Sequence, residues 1–243
     1  MFARFIENLD QRFNNYYNYP VVVFYEKEQV NESEVAQLRK MTKSPTFFQP
    51  IQFTIPPFIN TSTPLERCTE HNSSGIGYKH MCRFQAKTIY EHPIMVTKEL
   101  EYVWRLDDDS FLTRNVTLDP FRLMKGRKIR YGHIFAHTDN KCWIVGLWKA
   151  AEDFWNRLGV SKKRELPEGF YYYNNFELSA LSLWRSAEYK QYIEHIDRLG
   201  GIYYHRWGDA TIKTLAISRL LNDDELLDFR EFIGYSHNVH GIS

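Results

Sequence analysis

Three consecutive aspartates, Asp107, Asp108 and Asp109, directly follow the apolar segment Tyr102–Leu106. Adjacent carboxylates repel one another, and a bound divalent cation is the natural way to hold them together. Residues i and i+2 of an extended chain point to the same side, so we expect Asp107 and Asp109 to face one cleft while Asp108 points away. Such a pair after an apolar strand is typical of sites that bind a metal ion and a diphosphate. The alternative is a solvated acidic turn.

Three further side chains have both a chemical and a plain structural interpretation. Glu177 ends an aromatic segment, where it could act beside a sugar ring as a base, a nucleophile or a cation stabiliser, or could be a surface glutamate. Asp209 follows Arg-Trp-Gly and could be only a helix N-cap. His237 lies near the end of the chain and could be an ordinary loop residue. The residues alone leave these alternatives open.

The hydrophobic pattern predicts strands that alternate with helices. Strands are predicted at 20–25, 102–106, 129–135 and 170–178, and helices at 6–13, 31–41, 78–92, 148–158, 186–199 and 209–221. Asn31 with Glu34 is predicted to form a capping box, Ser186 to cap the helix that it begins, and Pro93 to end the helix before it. The Pro-, Ser- and Thr-rich stretch 44–77 is predicted to be irregular. This alternation favours an α/β fold with a mixed, mostly parallel central sheet flanked by helices. Ligands of such sheets bind beyond the carboxyl ends of the strands, where the three aspartates lie.

Composition narrows the possible functions. A length of 243 residues is most simply one domain over residues 1–243. The 31 basic and 30 acidic residues nearly cancel, which argues against a nucleic-acid partner or an anionic membrane surface. No apolar stretch approaches the ~20 residues of a membrane span, and the first 20 residues lack the apolar region of a signal peptide. Glycine-rich phosphate loops and Gly-x-Ser-x-Gly are absent, which excludes ATPases, dinucleotide-dependent enzymes and serine hydrolases.

Aromatic residues make up 16% of the chain, which suits sugar or base binding as well as an ordinary core. Cys68, Cys82 and Cys142 are widely spaced and fit no metal-binding pattern. We expect them to be small buried apolar residues, and since three is an odd number, at least one thiol is free or pairs between chains.

Several segments together resemble the fungal-type α-1,2-mannosyltransferases, the glycolipid 2-alpha-mannosyltransferase family (glycosyltransferase family 15). They are residues 11–14 with Tyr19-Pro20, 77–85, 102–109 and 200–210, followed in the same order by the matches at 175–177 and 233–237. The similarity covers nearly the whole chain, and Arg-Trp-Gly-Asp-Ala at 206–210 is highly specific.

The resemblance implies a GT-A fold and a retaining transfer of mannose from GDP-mannose to a mannose 2-hydroxyl, with Mn²⁺ as cofactor. The partners are then the nucleotide-sugar donor and a mannose-terminated glycan acceptor. By position, Asp107 and Asp109 match the metal-diphosphate motif, and His237 matches a metal ligand. The family motif is commonly Glu-Pro-Asp, and the Asp-Asp-Asp of this chain keeps its charge pattern. Carboxylates with an imidazole are a reasonable ligand set for Mn²⁺.

The resemblance also implies catalytic positions. Glu177 matches the carboxylate proposed as nucleophile, and Asp209 and Tyr78 match active-site positions, Tyr78 also on the donor side. Retention requires either a covalent intermediate on Glu177 or attack on the same face, guided by the leaving phosphate. The sequence does not choose between these mechanisms.

One departure from the family concerns the amino terminus. Family domains begin with a strand that helps to hold the nucleotide, and this first strand is expected to be missing here, together with any anchor. The resemblance implies the Golgi lumen, whereas a native terminus at residue 1 implies the cytoplasm. Two alternatives to the transferase remain: a relative that binds glycan or nucleotide with weakened catalysis, and a metal-dependent hydrolase of sugar phosphates.

Overall fold

A computed structural model describes residues 2–63, 75–97 and 100–237, which form a mixed α/β structure. The helices are α1 (Phe2–Leu9), α2 (Asn15–Tyr17), α3 (Glu32–Arg39), α4 (Ile76–Ala86), α5 (Pro93–Thr97), α6 (Pro120–Arg127), α7 (Leu147–Leu158), α8 (Leu181–Trp184), α9 (Ala187–Arg198), α10 (Gly201–Tyr204) and α11 (Asp209–Leu220). The strands are β1 (Val21–Glu26), β2 (Thr46–Ile51), β3 (Tyr102–Leu106), β4 (Ser110–Leu112), β5 (Tyr131–His133), β6 (Ala136–Thr138), β7 (Phe170–Tyr172), β8 (Phe176–Ala180), β9 (Leu226–Asp228) and β10 (Tyr235–His237).

The largest sheet within the described residues has four strands in the order β3-β8-β5-β9. Strand β8 runs antiparallel to both of its neighbours, and only β5 and β9 are parallel. The mixed character is as predicted, but the prediction of mostly parallel strands is wrong for this sheet. That prediction assumed a helical crossover before each strand. Instead, β7 pairs with β6 and leads within a few residues into β8, so the predicted strand 170–178 is two strands.

Strand β2 was not predicted, because it lies within the stretch that was expected to be irregular. Its sequence Thr-Phe-Phe-Gln-Pro-Ile has high β propensity but contains Pro50, which argues against a central strand. Among the described residues, β2 pairs in parallel with β1 alone, and an edge position tolerates a proline. The predicted absence of a first family strand stays a prediction.

Several helix ends follow the local signals that predicted them. Asn31 and Glu34 form the predicted capping box at the start of α3, and the Ser186 side chain accepts a hydrogen bond from the Tyr189 amide at the start of α9. Pro93, predicted as a helix end, instead begins α5, because proline also suits the first position of a helix. Among the described helices, none has the length and hydrophobicity needed to cross a bilayer.

Two apolar clusters hold the elements together. One packs α7, α9 and α11 around Trp155, Tyr192 and Ile212, and the other packs α1 against the sheet through Phe5 and Phe176. Helix α11 is buried along most of its length, so it lies at the centre of the first cluster.

The cysteines only partly follow the prediction. Cys82 is buried and free, as expected, and burial raises the pKa of its thiol. Cys142 is disulfide-bonded, so the expectation of a buried apolar residue is wrong there. Cys68 lies outside the described residues.

Candidate active site

The three aspartates form the turn between two strands of different sheets. Strand β3 ends at Leu106, and β4 begins at Ser110, so the turn projects Asp107, Asp108 and Asp109 from the sheet. The Ser110 amide donates to the Asp107 carbonyl oxygen at 3.0 Å, which closes this turn. Partial desolvation and the neighbouring charges raise the pKa of Asp108. The repulsion expected between adjacent carboxylates is therefore present.

A strand from the far end of the chain brings a histidine to these acids. Strand β10 pairs antiparallel with β4, and the register places His237 opposite Ser110, the residue after Asp109. The Tyr235 hydroxyl, two residues earlier, lies 2.8 Å from Ser110 Oγ and supports the same register. The antiparallel pairing converts a separation of more than 120 residues into direct contact between His237 and Asp109.

Asp107, Asp109 and His237 form a group whose ligand atoms all lie within 4.8 Å of one another. His237 Nε2 lies 2.6 Å from Asp109 Oδ1, and the side-chain amide nitrogen of Asn175 donates to Asp107 Oδ2 at 2.6 Å. His237 is buried, whereas the carboxylates are half-buried and face a cavity. Two carboxylate oxygens and one imidazole nitrogen are a donor set that Mn²⁺ accepts. These residues fit a metal ion.

Arg105 connects the acidic turn to the start of α11. Its Nε donates to Asp107 Oδ1 at 3.1 Å, and its Nη1 donates to Asp209 Oδ2 at 2.6 Å. Asn174 also donates to Asp209 Oδ2, at 2.6 Å. Asp209 is the first residue of α11 and Gly208 occupies the N-cap position, so the interpretation of Asp209 as a simple N-cap is wrong. Its carboxylate is directed into the site instead.

A cavity of about 1560 Å³ contains these groups. Its polar part is lined by Tyr78, Arg105, the three aspartates, Asp139, Asn174, Asn175, Arg206, Asp209 and His237. Its apolar part is lined by β1 and β3. Burial raises the pKa of the Tyr78 hydroxyl well above its usual range, so Tyr78 remains a neutral hydrogen-bonding group. A large pocket with convergent polar groups is the normal form of a ligand site.

Glu177 has different surroundings from the other predicted site residues. It is 1% exposed, and Lys213 Nζ donates to its Oε1 at 2.5 Å. Lys213 also donates to the Tyr90 hydroxyl at 2.6 Å and lies 4.5 Å from the centre of the Trp184 ring. Desolvation lowers the pKa of Lys213, and the charge of Glu177 opposes this shift. Within the described residues, Glu177 is not among the cavity-lining side chains, and it is not a surface glutamate.

The sequence model of the glycolipid 2-alpha-mannosyltransferase family matches residues 1–241. The chain belongs to this family. It is 29% identical, over 97% of its length and 64% of the relative's, to the alpha-1,2 mannosyltransferase KTR1 of Saccharomyces cerevisiae. It is also 29% identical, over 97% of its length and 58% of the relative's, to the glycolipid 2-alpha-mannosyltransferase 1 of Candida albicans. The chain thus spans somewhat less than two thirds of the length of these relatives.

Solved structures of family members share the fold. The crystal structure of core-mannan synthase A from Aspergillus fumigatus, in its Mn/GDP form, is similar with a TM-score of 0.85 and 25% identity. The match covers 97% of this chain and 70% of that one. The mannosyltransferase Ktr4p of Saccharomyces cerevisiae in complex with GDP has a TM-score of 0.88 at 23% identity, over 97% of this chain and 66% of that one. The fold of this glycolipid 2-alpha-mannosyltransferase family member is therefore that of its relatives.

The structure brings together five of the six predicted site residues in one cavity. They are Tyr78, Asp107, Asp109, Asp209 and His237, and Glu177 lies outside its lining. The cavity lining also includes residues for which the sequence predicted no role: Arg105, Asp139, Asn174, Asn175 and Arg206. The pair of asparagines directly before β8 was a usable signal, because amide groups at a strand start are well placed to orient neighbouring carboxylates.

Proposed function

We propose that this chain is a Mn²⁺-dependent glycosyltransferase that moves mannose from GDP-mannose to a mannose 2-hydroxyl of a glycan, with retention. The observation that carries the proposal is the convergence of Asp107, Asp109 and His237 at a cavity, in a member of a mannosyltransferase family. The Mn/GDP form of the relative from Aspergillus fumigatus supports both the metal and the nucleotide. The Golgi lumen stays a prediction from the family.

The residues of the cavity have separate roles in this reaction. Asp107, Asp109 and His237 would hold the metal beside the diphosphate. A bound Mn²⁺ supplies Lewis-acid stabilisation of the charge that develops on the leaving phosphate. Asn175 orients Asp107 through its 2.6 Å hydrogen bond, so the ligand set is preorganised. Tyr78 and Asp209, which line the same cavity, are the groups available to the transferred sugar.

The position of Glu177 helps to distinguish the two retaining mechanisms, a covalent intermediate and attack on the same face. A nucleophile has to reach the anomeric carbon, but Glu177 is 1% exposed and paired with Lys213. Its role as a nucleophile stays a prediction from the family resemblance. The geometry supports the other retaining route, in which the acceptor attacks the face that the phosphate leaves and the phosphate accepts the proton.

The test is transfer of mannose from GDP-mannose to methyl α-mannoside in the presence of Mn²⁺. We expect transfer by the wild-type chain and a loss of about 100-fold or more in Asp109→Ala, because a metal ligand stabilises charge in the transition state. Asp224→Ala, which removes an exposed carboxylate elsewhere, is the matched control. Full activity of Asp109→Ala would remove the metal role.

Two other outcomes identify the alternative functions. Binding of GDP by calorimetry without any turnover indicates a nucleotide-binding relative. Release of mannose at the same rate with and without the mannoside indicates a hydrolase, since water is then the acceptor.

A further inference from the structure

The apolar part of the cavity lies along the backbone edges of two strands. Every residue of β1 and every residue of β3 lines it. Successive side chains of a strand point to opposite faces, so a cavity on one face of a sheet would contact only alternate residues. Contact with all of them places the cavity beside the edge of each strand. We call this part of the cavity, between Val21–Glu26 and Tyr102–Leu106, the inter-strand cleft.

Among the described residues, both strands have a strand partner on one side only. Strand β1 pairs with β2, and β3 is the outer strand of the four-stranded sheet, next to β8. The edge of each strand that borders the cleft is therefore its second edge. The sequence Val-Val-Val-Phe-Tyr of β1 is nearly continuous in apolar residues, which is typical of a strand with neighbours on both sides. Its residues are nevertheless only half-buried.

The two strands lie in one layer of the molecule. Val22 of β1 and Val103 of β3 pack against the apolar cluster of α7, α9 and α11. Val21 of β1 and Trp104 of β3 pack against the cluster of α1. Side chains of both strands thus reach the same two clusters, one on each face. A strand placed between β1 and β3 would lie in their layer, with an apolar cluster on either side of it.

The hydrogen bonds between β1 and β2 show which backbone groups of β1 face the cleft. The Val21 amide donates to the Pro45 carbonyl oxygen at 2.8 Å, on the side of β2. Backbone groups of successive residues in a strand point to alternate sides, so those of Val22 and Phe24 point away from β2 and toward the cleft. Within the described residues, these groups have no hydrogen-bond partner.

The same reasoning applies to β3. The Leu181 amide donates to the Glu101 carbonyl oxygen at 2.8 Å, on the side of β8. The backbone groups of Tyr102, Trp104 and Leu106 therefore point away from β8 and toward the cleft, and no described residue pairs with them. Two facing rows of amide and carbonyl groups border the cleft.

The chemistry of the cleft selects a peptide as its ligand. A third backbone in extended conformation can pair with both rows of amide and carbonyl groups at once, whereas a lipid chain leaves them without partners. Apolar strand edges without a partner promote aggregation, and proteins usually cover them. The charged side chains of β1 and β3 are Glu26 and Arg105, both near the carboxyl ends. The middle of the cleft therefore suits uncharged residues, and β-branched side chains fit such a pleated surface.

We propose that the inter-strand cleft binds an extended, uncharged peptide segment, which pairs with β1 and β3 as an added strand. The added strand joins the two-stranded and the four-stranded sheets into one sheet, in which it lies between β1 and β3. Backbone hydrogen bonds supply the affinity, and the two apolar clusters select the side chains. This inference goes beyond the proposed function, because neither a metal ion nor a nucleotide takes part in it.

The probe is an acetylated peptide amide with alternating valine and threonine residues in its centre and a lysine at each end for solubility. We expect saturable binding to the wild-type chain by calorimetry, together with a rise in Tm. Hydrogen exchange followed by NMR should show the amides of Val22 and Phe24 slowed about tenfold or more in the complex. The Val23 amide faces β2, so its exchange should change by less than about twofold.

A variant of β1 tests the backbone pairing directly. Val22→Pro removes an amide that faces the cleft and leaves the amides that face β2, so we expect the Kd for the peptide to rise about tenfold or more. Val22→Thr is the matched control, because it keeps the amide and the β-branched shape, and its Kd should stay within about twofold of wild type. The same peptide N-methylated at alternate residues should not bind the wild-type chain, a result that does not depend on how a variant folds.

Three results would overturn the proposal. The first is the absence of protection at Val22 and Phe24 at the highest peptide concentration. The second is equal affinity for the plain and the N-methylated peptides, which would show adhesion to an apolar surface without strand pairing. The third is strong protection of these amides in the chain without peptide, which would show that the chain itself or a second copy already fills the cleft. Sedimentation of the chain alone distinguishes these two occupants, because only a second copy produces a dimer.

Discussion

Two groups of carboxylates in this molecule have opposite surroundings. Glu177 and Lys213 are each 1% exposed at their side chains and form an ion pair away from the cavity lining. The side chains of Asp107 and Asp109 are 29% and 18% exposed, and they face the cavity together with His237. In the buried group, a lysine of the chain itself neutralises the carboxylate. In the open group, Arg105 contacts Asp107 and His237 contacts Asp109, and the exposed faces of both carboxylates still leave room for a bound cation.

The helix and the sheet explain how one small region contains both groups. Arg105 and Glu177 are cross-strand partners on β3 and β8, so their side chains share one face of the sheet. Asp209 and Lys213 lie four residues apart on α11 and share one face of the helix. Where these faces meet, Asp209 pairs with Arg105 and Lys213 pairs with Glu177. The sheet face carries one positive and one negative side chain, and so does the helix face, so each charge lies beside an opposite one.

The largest expected effect comes from breaking the buried pair. Lys213→Met leaves Glu177 as an unpaired buried charge, so we expect a loss of about 3–5 kcal/mol in the free energy of unfolding. The double variant Glu177→Gln with Lys213→Met removes both charges and should recover most of that loss. Urea denaturation of the three proteins measures this difference. If the double variant is as unstable as Lys213→Met, the lost stability comes from the missing ion pair and not from an unpaired buried charge.

The open group is expected to respond to metal instead. At a Mn²⁺ concentration about 100 times its Kd, binding should stabilise the wild-type chain by about 2.7 kcal/mol. Asp107→Asn combined with Asp109→Asn should abolish this gain, because both carboxylate ligands of the metal are removed. Thermal melts with and without Mn²⁺ test this prediction. Equal metal stabilisation of the variant would place the metal elsewhere.

Arg105 links the open group to Asp209, and its replacement should have the smallest effect. Arg105→Lys retains the positive charge but cannot hold Asp107 and Asp209 at the same time, so we expect a loss of about 1.5 kcal/mol in unfolding free energy. The Kd for Mn²⁺ should rise in the same variant, because Asp107 loses one of its two anchoring hydrogen bonds. An unchanged Kd would leave Asn175 as the sole group that orients Asp107.

Local sequence signals predicted most of the helices correctly, but they did not predict how the strands pair. The capping box at Asn31 and the serine cap at Ser186 act within a few residues, so the sequence displays them directly. Strand β2 was missed because it lies in the stretch 44–77, whose Pro-, Ser- and Thr-rich composition predicted irregular structure, and its edge position explains why Pro50 is tolerated. The antiparallel direction of β8 depends on β6 and β7, which are too short to predict from pattern alone.

The sequence by itself determined the chemistry that is available: paired acids after a strand, a late histidine, and enough matched segments to indicate the family. These properties depend on residue identity and short spacing, which are visible without a fold. The tertiary structure alone decided which carboxylate meets which cation. His237 reaches Asp109 only through the β4–β10 register, and Glu177 meets Lys213 only through the packing of α11 against β8. Charges interact across space, and the distances between them are set by packing rather than by position in the chain.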